Sequence, residues 1–169
     1  MIPLTVHALF MGSIPGKSVI MLRPCFETGS KPRVLPIHIG MPEAMSISMA
    51  LENKQSRRPQ THDLTVAIIE ELGGTFLRAV IDRVDGMTFY SKIVLEQDDD
   101  IIEIDARPSD AIAMAMRMQA PIYVEEPVFT VAATNFDSSG KRNDEQQIEA
   151  FHDYVESLTP DDFKAPGAE

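Results

Sequence analysis

The chain has 169 residues, of which 44% are hydrophobic and 24% are charged. This composition excludes a wholly disordered chain and a collagen-like fibre, and the longest apolar runs fall short of the roughly 20 residues that a membrane-spanning helix needs. The first residues lack the basic segment and the cleavage site of a signal peptide. Because the single cysteine, Cys25, excludes an internal disulfide and a cysteine-based zinc site, we expect a cytoplasmic protein.

The formal net charge is −11, and the charge is unevenly distributed. Residues 1–60 carry seven lysines and arginines against three acidic residues, whereas residues 61–125 carry five against thirteen and residues 126–169 carry three against ten. Such an acidic chain is not a general binder of polyanions. A local basic surface is nevertheless predicted in the first part, from Arg33, Lys54, Arg57 and Arg58.

The first elements in the chain are three short segments of apolar or alternating residues that end in turn-forming residues. They predict strands at Ile2–Met11, Ser18–Cys25 and Arg33–Ile39. Pro36 lies inside the third strand. Because proline has no N–H to donate to a neighbouring strand, the third strand should lie at an edge or a bulge of the sheet.

Two helices are predicted next. The first runs from Glu43 to about Lys54, and the second begins at Thr61 as its cap and ends at Gly73-Gly74. An apolar stripe along the second helix predicts the face that it turns toward the core, made of Leu64, Ile68 and Leu72.

The second half of the chain predicts three more strands, a helix and a short closing strand. These lie at Thr75–Asp82, Met87–Leu95, Ile101–Ala106, Pro108–Met118 and Ile122–Val124. The pattern predicts an α+β domain over residues 1–128, with a mixed, largely antiparallel sheet packed against about three helices. Residues 129–169 predict a polar linker, a C-terminal amphipathic helix and an acidic tail, with the apolar stripe Ile148, Phe151, Val155 and Leu158.

An internal similarity relates two segments that are 67 residues apart, Ile37–Ala44 and Ile104–Ala111. Each predicts a strand, a tight turn and the start of a helix with an acidic residue in its first turn. The identities are few, so chance is a serious alternative to duplication. If the similarity is real, Glu43 and Asp110 occupy equivalent positions on two helices.

The second of these segments concentrates charge where a strand meets an apolar helix, and an unpaired buried charge is costly. One interpretation is structural: Ser109 or Asp110 caps the helix, and Arg107 pairs with Asp105. The functional interpretation is that Asp105 and Asp110 supply oxygen ligands for Mg²⁺ or Mn²⁺, while Arg107 binds a phosphate through two parallel hydrogen bonds.

The segment Thr61-His62-Asp63 is the second candidate site. Thr61 and Asp63 are ordinary residues for the start of a helix, but capping gives no reason for a histidine. An unperturbed histidine titrates near pH 6.5, which suits acid–base catalysis, but the pattern alone favours a surface or structural histidine. Arg57 and Arg58 precede it on a polar loop, either as solvated charges or as phosphate ligands.

Several motifs in this order resemble the signatures of the bifunctional nuclease domain family. The matching segments are Leu35–Gly40 with Glu43-Ala44, Arg58–Leu64 (similar to RPxTHDL), Phe89-Tyr90, Ile104–Ala113 (similar to DARPSDAIAL) and Ala120–Val124 (similar to APIYV). The resemblance covers about Met1 to Val128. It implies an α+β domain with DNase and RNase activity. Its signature positions include Glu43, Arg58, Thr61, His62, Asp63, Asp105, Arg107, Ser109 and Asp110. His38 departs from the pattern, because the family often has an aromatic residue there.

We therefore expect a nuclease that hydrolyses phosphodiester bonds of RNA and DNA with little sequence preference. Asp105 and Asp110, with Glu43, are the expected ligands of a divalent metal ion, Mg²⁺ or Mn²⁺. Arg107 and Arg58 would neutralise charge on the phosphoryl oxygens. His62 would act as acid or base, oriented by Asp63 or another carboxylate, with Arg57, Thr61 and Ser109 completing the substrate-binding set.

Two alternatives remain open from the sequence. The chain is either a non-catalytic binding module, whose charges form a structural network or a small-anion pocket, or a protein whose acidic tail, with Asp161-Asp162, occupies the basic loop in place of nucleic acid. Nucleic acid is the expected partner of a nuclease, and a homo-oligomer is expected because edge strands and an apolar terminal helix would be exposed in a monomer.

Overall fold

The computed structural model describes residues 1–12, 18–26 and 33–135. Within these ranges the chain forms eight strands: β1 (Ile2–Phe10), β2 (Ser18–Pro24), β3 (Arg33–Ile39), β4 (Thr75–Asp85), β5 (Thr88–Gln97), β6 (Asp100–Ala106), β7 (Ile122–Val124) and β8 (Thr134–Asn135). The helices of the same ranges are α1 (Met41–Leu51), α2 (Thr61–Glu71), α3 (Pro108–Met118) and α4 (Glu126–Ala132). The α+β class is thus confirmed, with a largely antiparallel mixed sheet.

The strands lie in the order β6-β5-β4-β7-β1-β2-β3-β8. Every neighbouring pair is antiparallel except β4 and β7, where Ala79 lies opposite Ile122 in a parallel register. The three-residue strand β7 also pairs with β1 and therefore joins the two halves of the sheet. At β3, the described residues of β8 pair only with Arg33 and Val34, so β3 has an unpaired side at Pro36, as a proline requires.

The main core is formed by the sheet with buried residues of α1, α3 and α4, and α2 packs against it through partly buried residues. Successive side chains of strand β2 point to opposite faces of the sheet. Ile20 and Leu22 belong to the main core, whereas Val19 and Met21 pack in a smaller cluster on the other face. Helix α3 is the most deeply buried helix of the described chain, with Ile112 fully buried. Burial of a side chain of this size stabilises the fold by about 1.5–3 kcal/mol.

Helix α2 is oriented differently from the sequence prediction. It has no fully buried residue, and Val66 and Ile69 are the side chains that it packs against the main core. The prediction that Leu64, Ile68 and Leu72 face the core is wrong, because these side chains are 54%, 49% and 68% exposed. His62 follows the same helical stripe as Val66 and Ile69, so the polar contacts described below help to set this orientation.

Helix α4 was not predicted, and its Phe129 is buried in the main core. The expected domain boundary after Val128 falls inside this helix. The predicted C-terminal amphipathic helix and acidic tail lie outside the described residues, so the hypothesis of a tail on the basic loop stays a prediction. Among the described residues, every helix is too short or too polar to span a bilayer.

Candidate functional site

The site is built where α1 and α3 begin. Gly40 precedes α1 and Arg107 precedes α3 with nearly the same extended backbone, at φ −71°, ψ 157° and φ −68°, ψ 145°. Both helices have a proline in the first turn, followed by an acidic residue, Glu43 in α1 and Asp110 in α3. The internal similarity in the sequence therefore has a structural counterpart.

Arg107 joins the two helix starts. Its Nη2 donates to Oε1 of Glu43 at 2.7 Å, and its Nε donates to Oδ2 of Asp110 at 2.8 Å. The Arg107 side chain is 67% exposed, whereas the Glu43 and Asp110 side chains are 15% and 30% exposed. Hydrogen bonds to Asp110 and Glu43, with the charges of both carboxylates, raise the pKa of Arg107. Arg107 is thus a cation held at the surface by two partly buried carboxylates.

Asp110 connects this arginine to α2. Its Oδ1 lies 3.1 Å from Nε2 of His62. Burial would raise the pKa of Asp110, but hydrogen bonds from Arg107 and His62, with the charge of Arg107, outweigh it and hold the pKa below its ordinary value. Asp110 is therefore ionised at neutral pH, and it is the neighbouring carboxylate that orients His62.

His62 reaches into the protein through its other ring nitrogen. Its Nδ1 lies 2.9 Å from Oγ of Ser46 in α1, and the same Oγ accepts a hydrogen bond from Nη2 of Arg117 at 2.9 Å. All three groups are satisfied when the Ser46 hydroxyl donates to Nδ1 and Nε2–H donates to Asp110. In this arrangement the neutral imidazole of His62, whose side chain is 13% exposed, has both nitrogens engaged.

Asp63 binds a different partner from the one predicted. Its Oδ1 accepts from Nε of Arg117 at 2.5 Å, and its Oδ2 accepts from the backbone N–H of Gln60 at 2.8 Å. Burial would raise the pKa of Asp63, but these hydrogen bonds and the charge of Arg117 hold it below its ordinary value. Arg117 also donates to the carbonyl of Ala113. Asp63 therefore fixes α2 to α3.

Together these contacts form one continuous hydrogen-bonded chain across α1, α2 and α3, which we call the polar chain. Its members, in order of contact, are Glu43, Arg107, Asp110, His62, Ser46, Arg117 and Asp63. The sequence analysis missed Ser46 and Arg117. A signal existed for Arg117, which is the one basic residue within the otherwise apolar run from Ala111 to Met118.

Asp105 is not part of the polar chain. It is exposed on the edge strand β6, where it lies opposite Lys92 of β5. The adjacent Ala106 packs against the main core, so alternation along the strand places Asp105 on the opposite face of the sheet. Glu43 and Asp110 are both engaged by Arg107. Among the described residues, no three His, Cys, Asp or Glu side chains are placed to hold a metal ion, so the three predicted ligands do not converge.

The remaining predicted residues lie on two different surfaces. Ser109 is largely buried and lines a cleft of about 410 Å³ together with Gly40, Phe89 and Arg107. Thr61 is exposed at the first residue of α2, and Arg57 and Arg58 are exposed on the loop before it. None of these three lines the cleft at Arg107.

Comparisons with known proteins identify the family of this chain. Residues 25–137 match the bifunctional nuclease domain. The curated relatives include two proteins of Mycobacterium tuberculosis named as uncharacterized, MT1877 of strain CDC 1551 / Oshkosh and Rv1829 of strain ATCC 25618 / H37Rv. This chain is 37% identical to each over 139 residues, which cover 79% of this chain and 82% of the relative. The chain belongs to the bifunctional nuclease domain family.

Proposed function

We propose that this protein is a nuclease that hydrolyses phosphodiester bonds of RNA and DNA. The observation that carries the proposal is the polar chain. It brings three separate signature segments of the family into hydrogen-bond contact, through Glu43 and Arg107, Arg107 and Asp110, and Asp110 and His62. A purely local capping role for these residues would not require contacts between segments that are 48 and 64 residues apart in sequence.

Arg107 is the proposed phosphate ligand. A guanidinium has five N–H donors, and the contacts to Glu43 and Asp110 use Nε and Nη2, which leaves Nη1 for a substrate. Arg107 and Ser109 line the same cleft, and this cleft is the proposed place for a phosphate group of the substrate. Because the two carboxylates fix the guanidinium, the Arg107 side chain loses little conformational freedom when the substrate binds.

Asp110 and His62 form the proposed pair that positions the attacking water. The carboxylate of Asp110 is the more exposed of the two groups, and its Oδ1 lies 3.1 Å from Nε2 of His62. Asp110 can therefore accept a hydrogen bond from an attacking water molecule, while His62 positions the carboxylate. As the water oxygen adds to phosphorus, the P–O bond to the leaving oxygen breaks, and solvent takes up the proton of the water and supplies one to the leaving oxygen. Arg107 neutralises charge that develops on the phosphoryl oxygens.

A divalent metal ion does not fit the predicted ligand set. Glu43 and Asp110 are engaged by Arg107, and Asp105 lies on the opposite face of the sheet, so no step of this proposal passes through a metal. Assays in Mg²⁺, in Mn²⁺ and in excess EDTA test this point. Activity that survives EDTA supports the proposal, whereas its complete loss would contradict this metal-free mechanism.

The decisive assay compares variants of the polar chain with a variant outside it. Arg107→Lys keeps the charge but loses the planar fork, and Asp110→Asn removes the carboxylate, so each should lower kcat/KM on single-stranded RNA and DNA by about 100-fold or more. Asp105→Asn is the control, because it alters a signature residue outside the polar chain. It should stay within about twofold of the native protein. Equal losses in all three variants would overturn the assignment.

A non-catalytic binding module is the second candidate function, and one observation favours it. The side chains of the polar chain bind one another, and His62 and Arg117 are each only 13% exposed. If the polar chain is purely structural, the native protein cleaves neither RNA nor DNA, and Arg107→Lys changes only the midpoint of thermal unfolding.

We place the protein in the cytoplasm, where its lone cysteine would stay reduced.

A further inference from the structure

The outer face of α2 is unusual because it is apolar and exposed. It carries Leu64, Ala67, Ile68 and, directly after the helix, Leu72, with Thr61 at one margin. The only charged residue on this face is Glu71. A helix face in contact with water normally carries several charged residues, so the outer face of α2 has the composition of an interface.

Helix α2 is also weakly supported by its own chain. None of its residues is fully buried, and Val66 and Ile69 are the apolar side chains that it packs against the core. An isolated helix shorter than about 12–15 residues is marginal in water, and α2 has 11 residues. Burial of the outer face would therefore stabilise the helix that carries His62 and Asp63.

We propose that the outer face of α2 binds the same face of a second copy of this chain, with the two helices antiparallel across a twofold axis. The charges at the helix ends fit this arrangement. Arg57 and Arg58 are exposed just before the start of α2, and Glu71 is its last residue. Antiparallel pairing directs Glu71 of each copy toward the arginine loop of the other, and it also pairs opposite ends of the helix dipoles.

The edge strand β6 is the competing surface for a second copy. It exposes Ile101 and Ile104, and a sheet edge offers unpaired backbone groups. It also carries Asp100, Glu103 and Asp105, so pairing two copies of β6 would bring like charges together. The α2 face has no such repulsion. A standard interface buries roughly 800 Å² per partner and takes about 20–30 residues a side, whereas α2 has 11 residues in all, so the dimer should be weak and depend on concentration.

Analytical ultracentrifugation of the full chain tests the proposal between about 1 and 100 µM, the range expected for a weak interface. The mass should rise from 18.8 kDa toward twice that value. Ile68→Glu should keep the protein monomeric over this range. Ile101→Glu is the matched control, since it makes the same change at a similarly exposed isoleucine of β6, and it should leave the dimer intact.

Charge reversal provides a second test that does not depend on the folding of the Ile68→Glu variant. Glu71→Arg should weaken the dimer, and combining it with Arg57→Glu and Arg58→Glu should restore it. A native chain that is monomeric throughout the range would overturn the inference. So would a dimer that Ile101→Glu dissociates and Ile68→Glu does not, or a charge reversal without effect. None of these readouts depends on nuclease activity.

Discussion

At the scale of single residues, Ser46 has the most demanding position in the polar chain. Its side chain is buried, and its one hydroxyl serves both Nδ1 of His62 and Nη2 of Arg117. Nη2 of Arg117 has a second, longer contact of 3.4 Å to Oε1 of Gln60. Ser46 therefore connects the half of the polar chain that faces solvent, at Arg107, with the half that fixes α2, at Asp63.

Replacing Ser46 with alanine should destabilise the protein. The substitution leaves the ring nitrogen and the guanidinium without their shared partner, and an unsatisfied buried polar group costs about 1–3 kcal/mol. Ser48→Ala is the control on the same helix, because the Ser48 hydroxyl donates to Glu52 at the surface and should change stability by less than about 0.5 kcal/mol. Urea unfolding of both variants measures the difference, and similar losses would contradict the role of Ser46.

The end of the Glu43 side chain closely approaches Gly40. A methyl group on Gly40 would overlap Oε2 of Glu43, whose other oxygen binds Arg107. The backbone at Gly40 is extended and suits alanine, so the overlap with the carboxylate is the expected reason for any cost. Gly40→Ala should displace Glu43 and break its bond to Arg107.

A double-mutant cycle isolates this effect. Gly40→Ala should destabilise the native protein, but it should cost little in a Glu43→Ala background, where no carboxylate is left to displace. The difference between the two costs should be about 1 kcal/mol, as for other pairs of residues in direct contact. Urea unfolding of the four proteins measures it, and additive effects would show that Gly40 does not act through Glu43.

At the scale of elements, seven of the eight described strands and three of the four described helices follow from the sequence because local signals agree there, whereas the two-residue strand β8 was not predicted. Strand β3 and helix α3 have the predicted bounds, Arg33–Ile39 and Pro108–Met118. Helix α4 was missed because it has only seven residues and its helical period is too short to detect. Its Phe129 is fixed by tertiary packing instead.

The orientation of α2 could not be predicted from its apolar stripe. Two stripes compete on this helix, one with Leu64 and Ile68 and one with Val66 and Ile69, and the second faces the core. Polar contacts of His62 and Asp63 lie on that same side. Hydrophobic periodicity takes no account of such polar contacts. It therefore predicted that the more extensive apolar stripe, made of Leu64, Ile68 and Leu72, is the buried one.

The candidate site was predicted in part, for a physical reason. Charges at the starts of helices are conspicuous in sequence, which is why Glu43, His62, Arg107 and Asp110 were identified. Their pairing is set by the packing of three helices, which the sequence does not reveal. Asp105 was included in the predicted site because it is close in sequence to Arg107 and Asp110. The alternation of side chains along β6 places Asp105 on the other face of the sheet.

At the scale of the whole molecule, the carboxylates of Asp63 and Asp110 should make global stability depend on acid pH. The folded-state pKa values of Asp63 and Asp110 lie below the ordinary value of 3.8. The unfolded chain therefore takes up protons first as the pH falls. The stabilisation is present above that ordinary value and is lost as the pH falls through the folded values.

Urea unfolding from pH 7 down to about pH 3 should therefore show a falling free energy of unfolding below about pH 4–5. The Asp63→Asn variant should be less stable at neutral pH, and its stability should fall less steeply with acid. Asp98→Asn, in the turn before β6, controls for the loss of one negative charge. Parallel pH profiles for the native and Asp63→Asn proteins would contradict the assignment.

The matching starts of α1 and α3 have one more consequence. Gly40 stands where Arg107 stands, and the space that an arginine would need there is filled by Glu43. Two helix beginnings thus share a single cation, and the formal charges of Glu43, Arg107 and Asp110 sum to one negative charge. An anion that approaches Arg107 therefore meets one negative charge that this cation does not cancel.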